Sequence, residues 1–179
     1  MAKTAAQNSS FTLSPADAAQ ASAIEALLDR AFGPGRLAKS SYRLREGVEP
    51  LAALCFVAHD DKTGAICGSI QYWPVLLKFD DGSTPAPALL LGPLAIDPDY
   101  QGKGIGQALM AHSLALATGQ GHKAVILVGD EPYYAKAGFS RLGAFGLRLP
   151  GPFDPNRLLG RNLVEGTLTG NPATIIKAE

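Results

Sequence analysis

Residues able to do chemistry concentrate in one stretch, Leu91-Gly92-Pro93-Leu94-Ala95-Ile96-Asp97-Pro98-Asp99-Tyr100-Gln101-Gly102-Lys103-Gly104-Ile105-Gly106-Gln107-Ala108-Leu109-Met110. An apolar run stops at Ile96, glycines stand at 102, 104 and 106, and helical spacing begins. The first amides of such a helix have no partner inside it, and its dipole adds partial positive charge. Glycine removes the side chains that would keep an anion away, so the pattern suits a phosphate. Two familiar phosphate motifs are excluded by spacing. The P-loop needs Lys followed by Ser or Thr after its last glycine, whereas Lys103 lies between glycines. The dinucleotide fingerprint reads G-x-G-x-x-G, whereas this turn reads G-x-G-x-G, and its acidic residue is only loosely offered by Asp130.

The elements that must position this turn follow from periodicity. A short strand is expected at Phe11 to Leu13, then a helix capped by Ser14 or Asp17, with Ile24, Leu27, Leu28 and Ala31 on one face and Gly33-Pro34-Gly35 at its end. Arg36 to Glu46 reads as a second, polar helical stretch with a thin apolar stripe, placed over an opening. At helical spacing its Arg36, Lys39, Arg43 and Arg45 read as a solvated face, with attraction of an acidic partner or a phosphate as the alternative. From Leu51 the period changes to two. A hairpin turns at Asp60 to Gly64, Ala65 to Phe79 returns with a bend or bulge at Pro74, and Ala88 to Ile96 completes an antiparallel meander. Beyond the glycines, a helix from about Gly104 to Thr118 turns Ile105, Ala108, Leu109, His112 and Leu116 to the sheet. Lys123 to Val128 is a strand, Glu131 to Ala137 a helical turn, and Gly138-Phe139 opens another strand. After Arg141 only Gly166 to Leu168 and Thr174 to Ile176 look extended. The fold class is α+β: a mixed, mostly antiparallel sheet flanked by helices, with a crossover helix joining two parallel neighbours.

Composition bounds the function. Among 179 residues, 16 Lys and Arg balance 16 Asp and Glu, so nothing suggests nucleic acid, which needs clustered cations. No apolar run reaches eighteen residues and the start is small and polar, so neither a membrane span nor a secretory leader is expected, and the cytoplasm is the expected compartment. Cys55 and Cys67 sit in apolar runs without a nearby ligand set, as buried thiols rather than a disulfide or metal site. Residues 1–9 are expected to be disordered and 10–179 to form a single domain, with 143–179 as irregular strands and loops.

The stretch resembles the acyl-CoA-binding motif of the GNAT superfamily of N-acetyltransferases, [Q/R]-x-x-G-x-[G/A], with Gln101, Gly104 and Gly106 in its defined places. The preceding Leu94-Ala95-Ile96-Asp97-Pro98 and the later Tyr133-Tyr134-Ala135-Lys136-Ala137-Gly138-Phe139 extend the similarity, and the layout agrees over residues 10 to 142, most like a small uncharacterised bacterial branch. Val128-Gly129-Asp130 replaces the family's usual Asn there. The resemblance implies a GNAT-like fold with splayed parallel strands, acetyl-CoA as cosubstrate without a metal, and acetyl transfer to a primary amine of a small molecule or protein in a ternary complex. A catalytically inactive CoA-binding sensor or scaffold is the alternative, and a homodimer is compatible with it. By the same resemblance, amides of Gln101, Gly102, Lys103, Gly104, Ile105, Gly106 and Gln107 hold the pyrophosphate, and the backbone of Leu94 and Ile96 pairs with the pantetheine arm. Tyr134 is the general acid, because a phenol with a pKa of about 10 stays protonated at neutral pH. Tyr133 lies beside the cofactor, and Asp130 is the candidate base, with Asp97 and, on the acceptor side, Glu25 and Glu46 as further carboxylates and ordered water as the alternative to any residue. The acceptor is not specified by any constellation in the sequence.

Overall fold

The computed structural model describes residues 10–178; the expectation for residues 1–9 falls outside them. The described residues form one mixed sheet of eight strands. Strand β1 (Phe11–Pro15) leads through an Asp17 capping box, completed by Gln20, into helix α1 (Ala21–Phe32). Ile24, Leu27 and Leu28 of α1 are buried against Val57 and Ala95 of the sheet, as their spacing predicts. A short 3-10 turn, Pro34–Ala38, and the single-turn helix α2 (Ser40–Arg43) follow. Strands β2 (Phe56–Asp60), β3 (Ile66–Phe79) and β4 (Ala86–Ile96) build the antiparallel meander, with β1 on its outer edge.

Helix α3 (Ile105–Gly119) crosses over to β5 (Ala124–Val128), which runs parallel to β4. Its buried face is rotated from the expected one. Leu109, Met110, Ser113, Leu114 and Ala117 point inward, whereas His112 is exposed and packs its ring edge on Phe56 at 4.6 Å. Phe56 and Ala58 meet α3 in the main core while Val57 faces α1, so α1 and α3 lie on opposite faces of the sheet.

The bulge stands elsewhere than expected. Pairing runs Ile70 with Leu94 and then Tyr72 with Leu91, so Gln71 of β3 faces both Gly92 and Pro93 of β4, and Pro74 pairs regularly with Leu89. Gly-Pro inside the apolar run was the signal for it, because Pro cannot donate to a ladder and Gly92 takes φ +128°. After helix α4 (Glu131–Tyr134), Gly138-Phe139 begins no strand; only an isolated bridge joins Ser140 to Gly160. Residues 166–168 are bends and turn. The C-terminal part supplies β6 (Leu147–Arg148), β7 (Leu158–Asn162) beside β5, and, where Thr174 to Ile176 read as extended, β8 (Ala173–Lys177) beside β3.

Candidate active site

The glycine turn is held from below. Asp97 accepts from the Asp99 amide at 3.0 Å and pairs with Arg30 at 2.9 Å, while the Tyr100 hydroxyl donates to Asp60 at 2.5 Å. Asp97 is therefore a turn former outside the cavity. Gly102 and Gly104 take φ +76° and +80°, a left-handed conformation that side chains resist. Gly104 is the N-cap of α3 and brings no side chain to its first amides. A third glycine, Gly68 of β3, lets this end of the helix approach the sheet, since a Cβ there would stand 2.7 Å from Ile105. Lys103 does not line the cavity, and its ammonium lies 4.6 Å from the centre of the Tyr100 ring.

Above the turn the two parallel strands part. They pair at Leu89 with Val125 and Leu90 with Ile126, and nowhere further along. The Asp97 amide donates to Cys67 of β3, so by the alternation of a strand Leu94 and Ile96 present their peptide groups to the opposite edge, which β5 does not reach. The bulge at Gly92-Pro93 bends β4 at the start of this free edge, where the Gly92 carbonyl accepts from the Trp73 indole at 2.8 Å.

On the far side of the split, α4 carries the adjacent tyrosines with ring centres 5.0 Å apart and nearly perpendicular planes. Tyr134 packs edge-on to Phe139 and over Gly129, where a Cβ would meet its ring at 2.2 Å. Burial, with a smaller contribution from Tyr133, pushes the Tyr134 phenol up to about 12. The Tyr133 hydroxyl stands over Gly106, where a Cβ would lie 2.0 Å away, and burial raises its pKa too. Gln107 donates to the Tyr133 carbonyl at 3.2 Å, tying α3 to α4. Asp130 is exposed and 3.1 Å from Arg157.

These parts line one cavity of about 680 Å³. Leu94, Ile96, Gln101, Gly102, Gly104, Ile105, Gly106, Gln107, Asp130, Tyr133 and Tyr134 all contribute to it. So do residues with no signal in a linear motif: Phe32, Arg36, Lys39, Tyr42 and Arg45 from the segment around α2, and Arg157 from the chain before β7. The solvated-face expectation fails for two of the α2 cations. Arg36 is buried, held by Glu25 at 2.6 Å and Asp29 at 3.0 Å, and Arg45 is half-buried against Tyr42. The thin apolar stripe left room for cations to turn inward once acidic partners on α1 faced them. Glu25 is spent on that pairing, and Glu46 does not line the cavity. His59 bonds Ser14 and the Gly64 carbonyl at the hairpin.

Among the described residues no group of three or more His, Cys, Asp or Glu is placed to hold a metal, and no helix is long and apolar enough to cross a membrane. The family described as Acetyltransferase (GNAT) domain matches residues 52–141. The chain is similar to the uncharacterized N-acetyltransferase YhbS of Escherichia coli strain K12, with 31% identity over 82% of this chain and 84% of that protein. It is similar to YjhQ, an uncharacterized N-acetyltransferase of the same strain, with 31% identity over 72% and 69% of the two chains. Of solved structures, that of Escherichia coli YhbS in complex with CoA superposes with a TM-score of 0.76 and 27% identity, over 96% of this chain and 91% of that one. A GNAT acetyltransferase from Brucella melitensis in complex with acetyl-CoA gives a TM-score of 0.58 at 25% identity, over 84% and 94%.

Proposed function

The chain belongs to the GNAT acetyltransferase family, and we propose that it transfers an acetyl group from acetyl-CoA directly to a primary amine, both substrates being bound at once. One observation carries this. The uncapped start of α3, the unpaired edge of β4 and the Tyr134 phenol all face a single cavity. The residues present fit the cofactor. Backbone amides from Gln101 to Gln107 would receive the pyrophosphate, and the Leu94 and Ile96 edge would receive the amide-bearing arm as an added strand. Acetyl-CoA supplies the acetyl group as a thioester, which an uncharged amine attacks.

The chain's own groups then have three tasks. The split strands hold the thioester in the cavity between β4 and β5, where the amine can approach it. Tyr134 keeps its proton well above neutral pH and gives it to the departing sulfur as the C–S bond breaks. Asp130, the carboxylate among the cavity-lining residues, is oriented by Arg157 and takes the proton lost by the amine through water. The relatives named above, one crystallised with CoA and one with acetyl-CoA, support the choice of donor. Free thiol release from acetyl-CoA, followed with a panel of primary amines and with the acetylated product identified by mass, tests the proposal. Release that requires the amine is the expected result, and release in its absence at the same rate would contradict it.

A further inference from the structure

Arg45, just beyond α2, occupies the cavity wall beside the β4 bulge. Its guanidinium carbon lies 4.2 Å from the centre of the Tyr42 ring and 5.8 Å from that of Trp73, so aromatic rings meet the guanidinium. Its N–H groups are not satisfied. Nε and Nη1 are enclosed without a hydrogen-bond partner, as is the Tyr42 hydroxyl, and Nη2 comes against Gly92, where a Cβ would stand 3.3 Å from it.

No counter-charge comes from the described residues. Among the described residues Arg45 makes no ion pair, and the cavity's acid, Asp130, is engaged by Arg157. Arg36 is already neutralised by Glu25 and Asp29. Burial pushes the Arg45 pKa down to about 10, with Tyr42 opposing and Arg36 reinforcing the shift, so the group still carries its charge at neutral pH. Nor do the cofactor phosphates reach it. Gly92 and Ile96 are separated by four residues of strand, about 13 Å at ~3.3 Å per residue, and the glycine turn lies beyond Ile96. The arm that would pass along β4 is uncharged.

We propose that Arg45, with Tyr42, receives a carboxylate of the acceptor, so that the amine acetylated here belongs to an amino acid or a similar amino carboxylate. A planar carboxylate matches an edge of a guanidinium, here Nη2 with either Nε or Nη1, and accepts from a phenol. The inference rests on the acetyl-transfer proposal, and its test separates the two.

Amino acids are compared with their decarboxylated amines as acceptors, for example phenylalanine with phenethylamine, tyrosine with tyramine and histidine with histamine. In the wild type the carboxylated member of a productive pair is expected to react with a kcat/KM higher by on the order of tenfold to a hundredfold, the range for a charge-assisted hydrogen bond. Arg45→Met is expected to erase that preference through the KM of the acceptor while leaving the KM of acetyl-CoA unchanged, and Arg45→Lys to keep part of it. Equal use of both members of every pair, or an equal loss for both in Arg45→Met, would overturn it. A second measurement needs no turnover. Trp73, the one tryptophan of the chain, should change its fluorescence saturably when amino acids are titrated into CoA-saturated protein, and this response should vanish in Arg45→Met. A response without thiol release from any amine would uphold the carboxylate site and overturn the transferase, whereas thiol release without a response would overturn the carboxylate site alone.

Discussion

The two ends of the cavity are built from different materials. At the end proposed for the cofactor the groups on offer are backbone amides, fixed by left-handed glycines, an uncapped helix start and a strand edge its neighbour abandons. At the end proposed for the acceptor they are side chains, Tyr42 and Arg45, held by rings and by an ion-pair cluster between α1 and the Pro34–Ala38 turn. A backbone site is specified by where glycine is required, and so is written as a contiguous motif. A side-chain site is specified by which residues the fold turns inward, and so is scattered.

The largest effect should fall where the ends meet. Tyr134→Phe removes the proposed proton donor and leaves the ring, so kcat should drop by on the order of a hundredfold to ten-thousandfold with CoA affinity intact. The wild-type kcat at saturating acceptor should also lack a falling limb near pH 10, where loss of the Arg45 charge would raise only the KM of the acceptor. A donor whose pKa is raised to about 12 stays protonated as an ordinary phenol begins to ionise, and its contribution disappears only as the pH rises through the higher value. A steady-state pH profile taken to pH 11 checks both. A fall of kcat centred on pH 10 would assign the donor to an unburied phenol.

Next in size is Asp130→Asn. If the carboxylate takes the amine's proton through water, kcat/KM should fall by on the order of tenfold to a hundredfold near neutral pH. The loss should fade at high pH, where the amine is already uncharged. A loss that does not vary with pH would make Asp130 a partner for Arg157 rather than a base.

The legibility of the two ends follows the same division. Gln101, Gly104 and Gly106 announced the turn, the flanking apolar run announced β4, and Lys123 to Val128 announced β5, whereas the split between them followed only from the family resemblance. Arg36 and Arg45 misled, because nothing local distinguishes an outward arginine from one recruited by acids on another helix, as Arg36 is, or packed between aromatic rings, as Arg45 is. The rotated face of α3 has a similar origin: Ser113 is polar yet wholly buried because it bonds Tyr72 at 2.8 Å. Strand β7 was hidden because Gly160 and Arg161 dilute its apolar pattern, and β5 rather than propensity recruits it. The β4 bulge was legible in Gly92-Pro93, and the proline at 74 drew attention from it.

The smallest effect on the site, though not on the fold, is expected at that buried pair. Ser113→Ala strands the Tyr72 hydroxyl at a cost of about 1–3 kcal/mol, which should lower Tm by about 3 to 10 °C. The kinetic constants of the folded protein should not change. Altered acceptor preference in this variant would mean that the two ends communicate through α3.

Calorimetric titration of CoA into Gly104→Val and Arg45→Met, side by side with the wild type, tests the separation of the two ends most directly. Valine cannot adopt φ +80° without strain, so Gly104→Val should bind CoA at least about tenfold more weakly. Arg45→Met should bind it within about twofold of the wild type, the enthalpy included, because no hydrogen bond to the cofactor is lost there. Normal binding by Gly104→Val, or a comparable loss in Arg45→Met, would contradict the division of the cavity into a backbone-built cofactor end and a side-chain-built acceptor end.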